Sequence, residues 1–212
     1  MKMFKLIFFI TVIFGCSYGV PALLSSSHIE QKEASLQLYA YRESVEDNFN
    51  EKCILCTESK DYKATIFFTK HWKVTLWRNQ AYLGRTLITS QRHFSTYEEM
   101  TDEEAKEYKE ILRLFLPALK KTFGTTHFNV AYLMNQAYKP ENKEEPHFHW
   151  HIIPRYEGKR TFADEVFQDP DFGNSFDFQR KQYMDEEFQE KAIQAIRENL
   201  DITFLEKKND LP

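Results

Sequence analysis

Glycine is scarce in this chain, with six among 212 residues, at positions 15, 19, 84, 124, 158 and 173. No two of them stand close enough for G-x-G-x-x-G or G-x-x-x-x-G-K-[ST], which excludes a Rossmann dinucleotide site and a P-loop NTPase. Positive charge is also short: 28 basic residues face 32 acidic ones, for a net charge of -4. No broad positive field exists for duplex nucleic acid, and no nucleic-acid partner is expected. The longest apolar run, residues 6–14, falls far below the roughly 20 residues that a membrane-spanning helix needs. No stable membrane span is therefore expected. What is abundant is aromatic side chains, at 16%, within a composition of 42% hydrophobic and 28% charged residues. That balance and length fit one folded domain with a core rich in Phe and Tyr.

The N-terminus reads as a targeting segment. Lys2 and Lys5 precede the apolar run, and the small residues Ser17 and Gly19 follow it, so 1–19 is expected to be a signal peptide cleaved after Gly19. An uncleaved short anchor is the competing reading. Cleavage removes Cys16, leaves Cys53 and Cys56 as the two cysteines, and makes the chain more acidic. A secreted or periplasmic protein is expected.

Residues 20–50 read as a linker, with the serine run at 25–27 suited to a helix N-cap, followed by a helix from Ile29 to about Phe49. Aromatic and β-branched runs predict strands over 64–69, 72–77, 84–89, 128–134 and 147–156. The clearest helix runs over 101–123. Thr101 and Glu104 form a capping box, Ala105, Tyr108, Ile111, Leu112, Phe115, Leu116, Leu119 and Phe123 trace its apolar face, and Gly124 ends it. A last helix is expected over 185–200, before a charged tail. Strands with one long helix between them predict an α+β domain on a mostly antiparallel sheet.

The segment Pro146-His147-Phe148-His149-Trp150-His151-Ile152-Ile153 carries the chemistry. In a strand, alternate residues share a face, so His147, His149 and His151 are expected on one side and Phe148, Trp150 and Ile152 in the core. Imidazoles side by side should have depressed pKa values and stay neutral and nucleophilic near neutral pH. A neutral histidine can take a phosphoryl or nucleotidyl group and pass it on. A plain three-histidine metal site competes poorly, because the third ring lies about 13 Å from the first along the strand. A merely polar strand face is the other reading, and three of seven histidines in one register argue against it.

This pattern, H-φ-H-φ-H-φ-φ with φ apolar, resembles the signature of the histidine triad (HIT) superfamily at every position. The resemblance extends over LGRTLITSQRH (83–93), HFNVAYLMNQAYK (127–139) and FQDPDFG (167–173), and looks closest to microbial hydrolases of diadenosine polyphosphates. It implies a HIT-like α+β fold: a mostly antiparallel sheet of about five strands, one long helix packed on it, and extra N- and C-terminal helices. The HIT domain is then expected over 51–175, and a C-terminal helix and tail over 176–212.

The resemblance also implies roles. The middle histidine of the family is the nucleophile, which falls on His149 and implies a covalent nucleotidyl-histidine intermediate. His151 contacts the phosphate near the scissile bond. The family's amide, eleven residues before the first histidine, falls on Gln136 with Asn135 beside it, and Asn79 is the choice for the ribose hydroxyls. One departure stands out: where many members carry Gly-Gln-Ser/Thr before the triad, this chain has Asn142-Lys143-Glu144-Glu145. No hydroxyl is offered there, and Lys139 or Lys143 is left to balance the carboxylates.

Cys53-x-x-Cys56 has the spacing of half a tetrahedral zinc site, and a disulfide or redox pair is the competing reading in an exported chain. No thioredoxin-like βαβ context surrounds it. The resemblance supplies the other two ligands, His93 and His147, and so implies a structural zinc. Asp164, Asp169 and Asp171 are candidates for a divalent cation accompanying the substrate, or simply turn residues. The resemblance further implies a homodimer joined across a sheet edge. The function expected is a nucleotide hydrolase acting on dinucleoside polyphosphates or related conjugates. A nucleotidyl transferase or phosphorylase, and a non-catalytic nucleotide-binding module, are the alternatives.

Overall fold

A computed structural model describes residues 50–57, 63–141 and 145–201. The expected leader, the helix from Ile29, the residues Asn142, Lys143 and Glu144, and the charged tail lie outside the described residues. In chain order the elements are α1 (Ile54–Thr57), β1 (Thr65–Phe68), β2 (Trp72–Leu76), β3 (Thr86–Ser90), a 3-10 turn (Tyr97–Glu99), α2 (Asp102–Phe123), β4 (His127–Tyr132), β5 (His149–Arg155), β6 (Lys159–Phe162), β7 (Glu165–Gln168) and α3 (Glu186–Asn199). Five strands form one antiparallel sheet in the order β1-β2-β3-β5-β4, and β6 pairs with β7 separately. The expected α+β architecture is present.

Register divides the sheet into two faces. Directly opposite residues of an antiparallel pair share a face. Ile88 pairs with Trp150, Val74 with Ile88, and Val130 with Ile152, which puts Trp72, Val74, Ile88, Phe148 and Ile152 into the core beneath α2 and α3. Phe148 stacks between Phe94, at 4.8 Å, and Tyr132, at 4.7 Å, and this fixes the start of β5. On the opposite face His149 pairs with Thr89, and His151 pairs with Leu87 and Ala131.

α2 forms where the periodicity predicts it. Thr101 accepts from the Glu104 amide, the Glu104 side chain returns to the Thr101 amide, and Gly124 closes the helix at φ 64°. Its buried stripe is rotated slightly from the expected one: Leu114 and Ala118 are buried, whereas Ala105 faces solvent. Glu104, in the first turn of the helix, is buried and accepts from both Nε and Nη2 of Arg92 at 3.0 Å. The segment 159–168, for which no strands were expected, is a hairpin. Its two loop residues, Ala163 (φ 49°) and Asp164 (φ 65°), take left-handed conformations, a turn that Asn-Gly announces and Ala-Asp does not.

Candidate active site and metal centre

β5 begins at His149, so His147 stands just ahead of the paired strand. This separation accords with the ligand role that the resemblance implies for His147. His149 and His151 lie together, with ring centroids 5.0 Å apart. His147 is turned to a different task.

The His147 Nδ1 lies 3.3 Å from both the Cys53 and the Cys56 Sγ atoms, and the His93 Nδ1 lies 3.3 Å from the Cys56 Sγ. The four ligand atoms of Cys53, Cys56, His93 and His147 all fall within 4.8 Å of one another. A tetrahedral site with metal–sulfur bonds of about 2.3 Å and metal–nitrogen bonds of about 2.0 Å has sulfur–nitrogen edges of about 3.5 Å. These four residues are therefore placed to hold a metal ion. The two thiols are not bonded to each other. The far nitrogen of His147, Nε2, donates to the Ser90 carbonyl at 2.8 Å, leaving Nδ1 with its lone pair toward the sulfurs. A ligating histidine is ordinarily held by such an outer hydrogen bond. Local structure explains the cluster: α1 is a single turn that brings Cys53 and Cys56 to one side, and the bond between the Cys53 amide and the Asn50 carbonyl anchors its start. Burial pushes the Cys53 thiol up to about 11.

At the other centre, the His149 Nδ1 donates to the His147 carbonyl oxygen at 2.8 Å. The proton is thus on Nδ1, and Nε2 carries the lone pair. Burial holds the His149 pKa below the usual histidine value, and brings His151 down to about 3, with His149 and Arg85 adding smaller electrostatic contributions there. Both rings are neutral at physiological pH, as expected, but burial is the leading cause rather than mutual repulsion. The His151 Nδ1 is buried with no hydrogen-bond partner.

The other sequence candidates separate. Asn135 and Gln136 are exposed in the turn after β4, which leaves the sheet beside the start of β5 because Tyr132 pairs with Trp150. Asn79 is buried, and its amide is engaged by backbone: it donates to the Arg180 carbonyl and accepts from the Ala81 and Gln182 amides. Asp169 forms a fully buried ion pair with Arg155 at 2.7 Å, and Asp171 accepts from Tyr82 and Arg180. Among the described residues, the cysteine–histidine cluster is the one group placed to hold a metal. Three residues that sequence reasoning passed over also belong here: Ser90, which orients His147, and Arg85 and Phe178, which flank His151. Arg85 stands inside the LGRT segment already singled out. Phe178 has no local signal.

No helix among the described residues is long and apolar enough to cross a membrane. A family model described as the HIT domain matches residues 58–158. The chain is 29% identical over 108 residues to an uncharacterized HIT-like protein of Methanocaldococcus jannaschii, covering 50% of this chain and 81% of that one. Its fold is similar to that of a hypothetical histidine triad nucleotide-binding protein from Sulfolobus tokodaii, with TM-score 0.51 and 20% identity over 68% of this chain and 87% of that one. It is also similar to Plasmodium falciparum diadenosine triphosphate hydrolase, with TM-score 0.50 and 18% identity over 82% of this chain and 97% of that one. At these identities the structural likeness is one of fold.

Proposed function

We infer from this chain's membership of the HIT superfamily, carried by its residues 58–158, that it is a hydrolase of dinucleoside polyphosphates or related nucleotide conjugates. The observation that carries the reading is the His149 Nδ1–H donated to the His147 carbonyl at 2.8 Å, which leaves a neutral Nε2 lone pair beside His151. Nε2 attacks the α-phosphorus, a P–N bond forms, and the P–O bond to the departing nucleotide breaks. The ring then carries a positive charge, and its Nδ1–H points at a carbonyl oxygen that stabilises it. His151 lies next to the phosphate, and Asn135 and Gln136 contact the phosphate or the leaving group from the turn after β4. Water next cleaves the P–N bond, releasing a nucleoside monophosphate and the neutral imidazole.

The cluster of Cys53, Cys56, His93 and His147 holds zinc in this proposal, a preference of two thiolates and two imidazoles in tetrahedral array. The ion's part is structural: it ties the N-terminal arm to the residue that precedes β5. An exported location, read from residues 1–19, and a homodimer across a sheet edge complete the proposal. β4 is one of the two edges, with Val130 well exposed on it.

Mass spectrometry of the protein after brief mixing with diadenosine tetraphosphate tests the reaction. A nucleotidyl adduct on His149 is expected. No adduct and no consumption of substrate overturn the hydrolase reading, and products that incorporate added inorganic phosphate replace it with a phosphorylase.

A further inference from the structure

Arg85 is buried, at 4% exposure, directly before β3 on the face that carries the two histidines. Its Nε has no hydrogen-bond partner, and no carboxylate among the described residues forms an ion pair with it. Buried guanidinium groups are ordinarily paired, because an uncompensated charge costs several kcal/mol in a dry interior. The contrast with Arg155 on the same face, matched to Asp169, is direct. Burial lowers the Arg85 pKa, and the groups that act on its charge are the phenols Tyr82 and Tyr183 rather than acids.

The backbone fixes this placement. Gly84 adopts φ +84°, and a Cβ there would meet the Phe123 ring at 2.7 Å, so the chain can turn at this point only on glycine. The Gln80 side chain accepts from the Gly84 amide at 2.8 Å and donates to the Arg85 carbonyl at 2.9 Å. Leu87 pairs with His151, and Arg85, two residues earlier, stands diagonally across from it on the same face. Phe178 covers both: its ring centroid is 5.9 Å from the Arg85 guanidinium carbon and 6.4 Å from the His151 ring. Two buried orphan nitrogens, Arg85 Nε and His151 Nδ1, therefore share one place beneath one aromatic side chain.

We propose that Arg85 is a substrate-binding residue that holds the phosphate of a nucleotide next to His149 and His151. An anion supplies the charge partner that the described residues withhold, and the planar guanidinium suits phosphate oxygens in a bidentate contact. The cation also compensates for the hydroxyl that the Asn142-Lys143-Glu144-Glu145 stretch does not provide. The proposal rests on the nucleotide reading above, and it names the group that recognises the phosphate.

Calorimetric titration of the full chain with AMP and with adenosine tests it. Wild-type protein should bind AMP about 10-fold or more tightly than adenosine, as a charge-assisted contact implies. Arg85→Met and Arg85→Gln should lose that preference with adenosine binding unchanged, while Arg85→Lys keeps part of it. The melting temperature of Arg85→Met should hold or rise, because a buried unpaired charge is removed, whereas a purely structural arginine would lower it. Retention of the AMP preference by Arg85→Met and Arg85→Gln, or its absence from the wild type, overturns the proposal. Failure of the wild type to turn over diadenosine tetraphosphate, with AMP binding still dependent on Arg85, removes the hydrolase reading and leaves this one standing.

Discussion

The carbonyl oxygen of His147 sits 2.8 Å from the Nδ1 of His149, while the imidazole of His147 is turned to Cys53 and Cys56. One residue thus joins the cysteine–histidine cluster to the ring proposed as the nucleophile, through its side chain on one side and its backbone on the other. The ring orientation of His149 depends on where the cluster holds His147.

The first prediction concerns His149, the proposed nucleophile. His149→Gln preserves much of the side-chain volume and removes the ring. Turnover of diadenosine tetraphosphate should fall by about 10³-fold or more, because the covalent path is lost and only binding and positioning remain. Wild-type turnover in that variant would exclude His149 as the attacking group.

Acid stability follows from His151. Its pKa is lowered to about 3 by burial, against an ordinary value near 6.5 in the unfolded chain. Between those values the unfolded chain takes a proton that the folded chain refuses, so stability is lost as pH falls from about 6.5 toward 3. The slope for this one group approaches about 1.4 kcal/mol per pH unit. Urea unfolding of the wild type and His151→Asn at pH 7, 6 and 5 measures it. The variant should lose less stability on acidification, and parallel curves would show that His151 does not carry the effect.

Metal content is the third prediction. Elemental analysis should find about one zinc per chain, and none in Cys53→Ser/Cys56→Ser. Loss of several kcal/mol of metal-coupled stability in a chain of this size lowers the melting temperature by on the order of 10 °C. Because His147 links the two centres, the metal-free variant should also lose kcat. Full activity without metal would separate the cluster from the nucleophile.

Much of this was legible in the sequence. Alternation over 147–152 located the strand and sorted its core and open faces, and the capping box at Thr101 and Glu104 placed α2 to within a residue. The spacing of Cys53 and Cys56 read as half a metal site, and family resemblance completed it with His93 and His147, which the fold brings together. What stayed hidden depends on contacts far apart in sequence. The burial that, ahead of mutual repulsion, keeps His149 and His151 neutral comes from tertiary packing, as do the pairing of Glu104 with Arg92 and the place of Phe178 beside His151. No local pattern encodes any of these.

The last prediction concerns that returning segment. Arg155 and Asp169 are both fully buried, with Nε–Oδ2 at 2.7 Å and Nη2–Oδ1 at 3.1 Å, and Arg155 also donates to the Asn174 carbonyl. The pair thereby ties residues 169–174 to the end of β5, and the chain that follows carries Phe178 back to His151. Asp169→Ala leaves the guanidinium buried without its carboxylate and should cost about 3–5 kcal/mol in urea unfolding. Arg155→Met combined with Asp169→Leu removes both charges and should recover most of that loss, since hydrophobic replacement of a whole buried pair is often neutral. The double variant nonetheless loses the bond to Asn174, so its nucleotide affinity should fall even where its stability is restored. Stability and affinity that recover together would show that packing alone, not the guanidinium, holds the segment over the site.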